Sequence, residues 1–346
     1  MHSKIKVLIV DDASFMVKAL RDILDSDQQI EVVGSARNGR DALEKIKKLK
    51  PDVITLDVDM PVMDGISAIR HIMIEMPVPI VMLSSLYSHG DITFDALRLG
   101  VVDFLPKPSG AVSKDIHVQR NDIVERVKIA AAVRLHNIRR ISLKKVDHHE
   151  DLAGRYKYIS LDHLITIGTT VGGPGSLMRI ITKLPQDIPA AIICIQDISP
   201  KILPDFAKEF DFYSAWKIEV GATGKVLEQG TCYICSTSQP VRVSINDDNE
   251  PSLIDSQDTS EPLNDLFSSA SHQYGSNTIG ILMAGIGNDG NEGMADIKKR
   301  GGVTLAQETE TCVYPNLTQC AIEKGVVDKA VSVDELANSI IAAINK

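Results

Sequence analysis

Five short runs rich in β-branched residues recur at regular spacing through the first third of the chain: "KVLIVDD", "IEVVGSA", "PDVITLDVDMP", "PIVMLSS" and "VVDFLPKP". The segments between them, such as "ASFMVKALRDILDS", carry apolar residues at i, i+3 and i+4, the period of an amphipathic helix. Strands separated by helices are joined by crossovers, which makes neighbours parallel and covers both faces of the sheet. The pattern predicts an α/β protein whose N-terminal part is a five-stranded, doubly wound parallel sheet.

Ligands on such sheets bind at the carboxyl ends of the strands. The polar residues there are Asp11 and Asp12 after the first strand, Asp57 at the third, Ser84 and Ser85 at the fourth, and Lys107 at the fifth. Three carboxylates converging on one rim repel each other, and a hard divalent cation with oxygen ligands is the simplest remedy. Lys107 adds a compact point charge suited to a phosphoryl oxygen. Asp12 alone could be an ordinary helix N-cap. A set spread over four strand ends is what a shared site requires.

The chain has 346 residues, too many for one ordinary core and enough for two. "NDIVERVKIAAAVRLHNIRR" reads as a helix that closes the first domain and continues outward, and the polar "ISLKKVDHHEDLAGRYK" that follows reads as a linker. The expected boundaries are 1–133 for the first domain, 134–158 for the linker and 159–346 for the second domain. His148 and His149, adjacent in the polar linker, are expected to be solvated rather than metal-bound. The second domain alternates again, with strands at "HLITIGT", "AAIICIQD", "YICS", "TIGILMAG" and "VTLAQ".

Charged residues make up 24% and hydrophobic ones 44%, the balance of a soluble globular protein. A net charge of -9 argues against nucleic acid and anionic membrane as partners. No apolar run approaches the ~20 residues of a membrane span, and the N-terminus enters a strand without a signal-peptide cleavage pattern, so no membrane insertion and a cytoplasmic location are expected. All five cysteines lie in the second half, and the C-x-x-C of Cys232 and Cys235 falls in the strand pattern "TCYICS". That spacing on a strand sends the two thiols to opposite faces, the arrangement of core residues rather than of a redox or zinc pair.

"LITIGTTVGGPGSLMRII" is a strand, a small-residue turn and the start of a helix. Gly168 to Gly173 gives G-x-x-x-x-G, but Pro174 stands where a phosphate-binding loop needs lysine, and G-x-G-x-x-G is not satisfied. What remains is a hydroxyl at the mouth of a helix, among backbone N–H groups.

The first half resembles the receiver domains of bacterial response regulators, which have the flavodoxin-like fold, from residue 5 to about 130. The resemblance implies that Asp57 accepts a phosphoryl group from a histidine kinase. It implies Mg²⁺ held by Asp12, Asp57 and the backbone carbonyl of Asp59, with Asp11 in support, Ser84 bonding the phosphoryl group and Lys107 pairing with it. Phe104 stands at an aromatic switch position, "DVDMPVMDG" supplies the turn with Pro61 and Gly65, and the Lys107–Pro108 peptide is of a kind often cis in this family.

The second half is similar to the catalytic domain of the chemotaxis protein-glutamate methylesterases, and the two halves in this order match that family end to end. The residues that carry the likeness are "IGTTVGGPGSL", "IPAAIICIQDISP", "PLNDLF", "ILMAGIGNDGNEGM" and "VTLAQETETCVY". The family reads G-A-S-T-G-G with a serine nucleophile, Q-H-M-P with a histidine base, and an orienting aspartate in the glycine loop. Here those positions hold Thr170, Asp197 and Asp289. A hydroxyl attacks only when a neighbour takes its proton, and a carboxylate with an ordinary pKa near ~4 is a poorer acceptor than imidazole. Threonine also adds a methyl group and χ1 stiffness where close approach is needed.

Only two histidines of this domain are available to replace the base, and neither is expected to do so. His163 lies at the far end of the strand leading to Thr170, roughly 20 Å away if extended, and His272 sits on the helix of "LNDLFSSASHQY". The family's A-P-G loop becomes "CSTSQP", and its G-M-P segment becomes Pro315-Asn316-Leu317-Thr318.

The resulting expectation is a phosphorylation-switched regulator whose methylesterase-like domain is catalytically impaired and acts by binding. Its implied partners are a chemotaxis histidine kinase and chemoreceptors or another chemosensory protein. The alternatives are an active methylesterase and glutamine deamidase, and a phosphate sink that drains the kinase.

Overall fold

The structure, a computed structural model, describes residues 3–84, 90–107, 116–146 and 161–345. The chain divides into two compact units, Met1–Arg140 and Ile141–Lys346.

The first unit runs β1 (Ile5–Val10), α1 (Ser14–Leu24), β2 (Ile30–Ala36), α2 (Gly39–Leu49), β3 (Val53–Asp57), α3 (Gly65–Glu75), β4 (Ile80–Ser84), α4 (Gly90–Leu99), β5 (Asp103–Pro106) and α5 (Ile116–Ala131). Its sheet has the order β2-β1-β3-β4-β5 with every pair parallel, as the alternating pattern requires. All five residues of β3, "VITLD", are buried, because helices cover both faces of a central strand. Side-chain caps set two of the helix starts. Asn38 accepts from Asp41 N at 2.9 Å and Asp64 from Ser67 N at 2.7 Å, each a cap worth about 1 kcal/mol. After β1 the chain winds to β2 on one side and then crosses to β3 on the other. The carboxyl ends of β1 and β3 therefore flank the crevice where the winding reverses, and Asp11 and Asp57 sit at them.

One expectation is corrected here. The closing helix does not continue outward: α5 stops at Ala131, and a single 3₁₀ turn at Leu135–Asn137 precedes extended chain. The reason is apolar anchoring. Val133 is buried, and the Ile138 side chain lies 2.8 Å from where a Cβ on Gly100 would stand, so the chain after α5 folds back onto its own unit. Residues 141–146 belong instead to the second unit, where Val146 N donates to Phe212 O at 2.9 Å and Lys145 Nζ lies 5.4 Å above the Phe212 ring. His148 and His149 lie outside the described residues.

The second unit has β6 (His163–Thr169), α6 (Gly173–Ile181), β7 (Ala190–Gln196), α7 (Leu203–Asp211), β8 (Lys217–Val220), β9 (Thr231–Ser236), β10 (Val241–Ile245), β11 (Pro251–Asp255), α8 (Pro262–Tyr274), β12 (Thr278–Leu282), α9 (Asn291–Lys299), β13 (Val303–Gln307), α10 (Asn316–Glu323), β14 (Lys329–Val331) and α11 (Val333–Ile344). Seven strands form a parallel sheet in the order β14-β13-β12-β6-β7-β9-β8, and β10-β11 is a separate antiparallel hairpin. The apolar runs read from the sequence are the five inner strands. The edge strands β8 and β14 escaped that reading because they are four and three residues long with exposed positions, too short for a periodic signal. Cys232 and Cys235 both lie on β9 as fully buried free thiols, and burial pushes the Cys235 thiol up to about 12. Among the described residues no helix is long and apolar enough to cross a membrane.

Candidate functional site

In the first unit, one carboxylate oxygen from each of Asp11, Asp12 and Asp57 lies within 4.8 Å of the other two. Asp11 and Asp57 are almost fully buried, and Asp12 is exposed at the mouth. Lys107, from the end of β5, spans the buried pair: its Nζ is 2.7 Å from Asp57 Oδ2 and 2.9 Å from Asp11 Oδ2. Asp57 Oδ1 accepts from Val58 N at 2.7 Å, and Asp11 Oδ1 accepts from Ala13 N at 2.9 Å. Burial raises the Asp57 pKa above the usual carboxylate range, and the Lys107 ammonium opposes the rise without cancelling it. Burial would lower the Lys107 pKa, yet its contacts with Asp57 and Asp11 leave it raised overall.

The loop after β3 is folded back on that strand, and Gly65 is what permits it. A Cβ there would stand 2.3 Å from Asp57 O, and Gly65 N donates to Val58 O at 2.8 Å. Asp59 lies exposed on this loop, and Phe104 on β5 is half-buried against the core of the unit. Ser84 ends β4; Ser85 and Pro108 lie outside the described residues, so the peptide expected to be cis does too. The acid set fits a divalent cation, since three carboxylate oxygens converge within 4.8 Å, more negative charge than the single Lys107 ammonium offsets, and hard carboxylate oxygens are the preferred ligands of Mg²⁺.

The same loop holds Val62 at φ +70° with its side chain 78% exposed. A β-branched residue in the left-handed region is strained by about 1–2 kcal/mol, and this one recovers little by burial. Val62→Asn should therefore stabilise the first unit by about 1 kcal/mol. The measurement is the urea midpoint at which β3 peptides lose hydrogen-exchange protection; an unchanged or lower midpoint in the variant would contradict the strain.

In the second unit β12, β6 and β7 are neighbours, with Leu282 opposite Gly168 and Thr169 opposite Gln196. Thr170 and Asp197 are each the next residue beyond that last rung, and Asp289 lies in the loop after β12. The three positions thus share one carboxyl edge, but their side chains are bonded elsewhere. Thr170 Oγ1 accepts from Ile286 N at 2.7 Å, and among the described residues no carboxylate or imidazole is hydrogen-bonded to it. Asp197 Oδ1 accepts from Thr237 Oγ1 at 3.4 Å. Asp289 accepts from Leu263 N at 2.8 Å and Asn264 N at 3.0 Å, so its carboxylate caps α8 from a different loop. Burial raises its pKa, against the lowering effect of those amides.

Two glycines make this packing possible. A Cβ on Gly285 would meet Thr170 Oγ1 at 2.5 Å, and Gly172 has φ +76° against Val313. Neither candidate replacement histidine reaches the edge. His163 opens β6 at the opposite end of the sheet, with burial holding its pKa below the usual imidazole range. His272 is exposed near the C-terminal end of α8, its ring nitrogens 2.9–3.0 Å from the Arg300 guanidinium. Two contacts at this edge escaped the sequence reading. Thr237 and Asn316 stand out in the sequence only as departures from a pattern; their bonding to Asp197 and to the glycine loop is a tertiary property.

Two family descriptions match the chain: a response regulator receiver domain over residues 7–116 and a CheB methylesterase over residues 165–340. A protein-glutamate methylesterase/protein-glutamine glutaminase of Pyrococcus horikoshii is 35% identical over 99% of this chain and 95% of its own length. Proteins of the same description from Caldanaerobacter subterraneus (34% identical over 100% of this chain and 98% of the relative) and Archaeoglobus fulgidus (36% over 97% of each) are similar along their whole length as well.

Proposed function

Because the chain belongs to the CheB methylesterase family, as a chemotaxis response regulator with a receiver domain ahead of the methylesterase domain, we propose that phosphorylation of Asp57 switches a methylesterase-like domain that is catalytically impaired and acts by binding. The receiver spans 1–133, the linker 134–158 and the effector 159–346. A histidine kinase of a chemotaxis system is the phosphoryl donor: an Asp57 carboxylate oxygen attacks phosphorus as its bond to the donor nitrogen breaks. Lys107, already against Asp57, pairs with the arriving phosphoryl oxygens, Ser84 bonds one of them, and Phe104 reports the change to the surface of the receiver. Asp12, Asp57 and the Asp59 carbonyl would hold Mg²⁺ with Asp11 in support, and the cation supplies charge neutralisation for the phosphoryl oxygens.

The observation that carries the reading of the effector is the bonding of Thr170. Its hydroxyl oxygen accepts a backbone amide and, among the described residues, is hydrogen-bonded to no base, while the residue at the base position is a carboxylate bonded to Thr237. In the Ser-His-Asp template, loss of one member of the triad costs about 10⁴-fold or more. The bound partner is then a chemoreceptor or another chemosensory protein, engaged at this edge and not consumed.

The relatives' own description as methylesterases and glutaminases favours the other reading, a working enzyme. Methanol release from methylated chemoreceptor decides between them. Wild-type protein, phosphorylated or not, should stay at the background rate; robust turnover that is lost in Thr170→Ala would establish Thr170 as a nucleophile and overturn the impaired reading.

A further inference from the structure

Two consecutive backbone amides of the glycine loop after β12 are taken up by side chains of this same chain. Ile286 N donates to Thr170 Oγ1 at 2.7 Å, and Gly287 N donates to Asn316 Oδ1 at 2.6 Å. Gly287 is exposed, has φ +96°, and has open space where a Cβ would point, so this part of the loop stands at the surface of the edge and not in the core.

Asn316 is held to this task from both sides. Leu317 N donates to Gly285 O and Gly285 N to Tyr314 O, each at 2.9 Å, which laces the start of α10 to the glycine loop. One helical turn on, Cys320 Sγ lies 3.8 Å from Asn316 Nδ2, so the amide's nitrogen side faces the helix and its oxygen faces Gly287.

A carbonyl under attack at position 170 would develop negative charge on its oxygen and would need donors at about 2.7–3.1 Å aimed at it. Ile286 N is bonded to the Thr170 hydroxyl itself and Gly287 N is the next amide along the same loop, so both donors nearest in sequence to that contact are already bonded. We propose that Asn316 is a built-in surrogate for substrate: its carboxamide oxygen occupies the acceptor position at Gly287 N–H that an incoming ester or amide carbonyl would take, and so closes the glycine loop. The inference rests on the impaired reading of the effector and adds to it a third residue, one that acts by occupancy and not by the loss of a reactive group.

The test uses full-length ¹⁵N-labelled protein titrated with acetate, whose carboxylate oxygen is the simplest mobile acceptor for the same amide. In wild-type protein the Gly287 resonance should not move. In Asn316→Ala it should shift saturably with acetate. Asn316→Asp keeps an acceptor oxygen in place and should again be silent. Asn316→Ser, whose hydroxyl is too short to reach, gives the same answer as alanine and serves if the alanine variant misfolds. Trp216, the one tryptophan of the chain and fully buried, reports by its fluorescence whether each variant is folded.

A Gly287 amide that responds equally in wild type and Asn316→Ala, or in neither, overturns the proposal. The methanol assay run alongside separates the two ideas. Wild-type turnover refutes the impaired reading, whereas silent wild type together with an acetate-blind Asn316→Ala refutes only the surrogate.

Discussion

Asp57→Asn should reduce phosphoryl uptake from acetyl phosphate, or from a chemotaxis kinase, to background. The expected loss is complete, because the carboxamide oxygen is a neutral, weak nucleophile and offers no anionic oxygen to phosphorus. The variant should remain folded. Burial already disfavours the charged form of Asp57, so a neutral isostere removes an unfavourable charge, and Lys107 keeps Asp11 as a partner at 2.9 Å. Wild-type uptake should in turn require Mg²⁺, since the converging oxygens of Asp11, Asp12 and Asp57 would otherwise face the phosphoryl group with net negative charge. Acid-labile label on the intact protein is the measurement. Undiminished labelling of the Asn variant would place the acceptor elsewhere.

The double variant Thr170→Ser with Asp197→His should release methanol from methylated receptor, whereas wild type and both single variants stay at background. A general base contributes about 10²–10⁴-fold, so recovery of about 10²-fold over wild type is the expected scale. The scaffold for it is in place: Thr170 and Asp197 stand one residue beyond the paired rung Thr169 and Gln196, and Asp289 is on the adjoining loop. Two features of the structure limit the gain. Asp289 spends both oxygens on the α8 amides, so it can orient an imidazole only through a lone pair those bonds leave, and Asn316 holds the Gly287 amide. Adding Asn316→Ala to the double variant should therefore raise the rate again. A single variant as active as the double would show that nucleophile and base do not act together.

The receiver was legible from the sequence because its signals are local. Strand runs, helix period and the residue at each strand's carboxyl end are all set within a few positions, and a parallel sheet gathers those ends without further information. Asp11, Asp12, Asp57 and Lys107 could be grouped on that ground alone, and the structure brings them together. The second unit shows where such reading stops. Its inner strands and the turn carrying Thr170 follow from the same periodicities, but its edge strands β8 and β14 are too short to show one; in the first unit, likewise, α5 ends at Ala131 where Val133 is buried and Ile138 packs at Gly100, which no helical period foretells.

What the sequence by itself determined, then, is the doubly wound architecture, the two-unit order, and the chemical identity of the groups on each carboxyl edge, including Thr170 and Asp197. What only the tertiary structure decided is how those groups are spent. Asp289 caps a helix by accepting from Leu263, 26 residues before it, and Asn316 takes an amide 29 residues away. Such bonds join segments whose approach is set by the packing of strands and helices and by glycines that admit no Cβ. A hydrogen bond depends on donor and acceptor meeting within a few tenths of an ångström, and that distance is a property of the assembled fold and not of any stretch of chain.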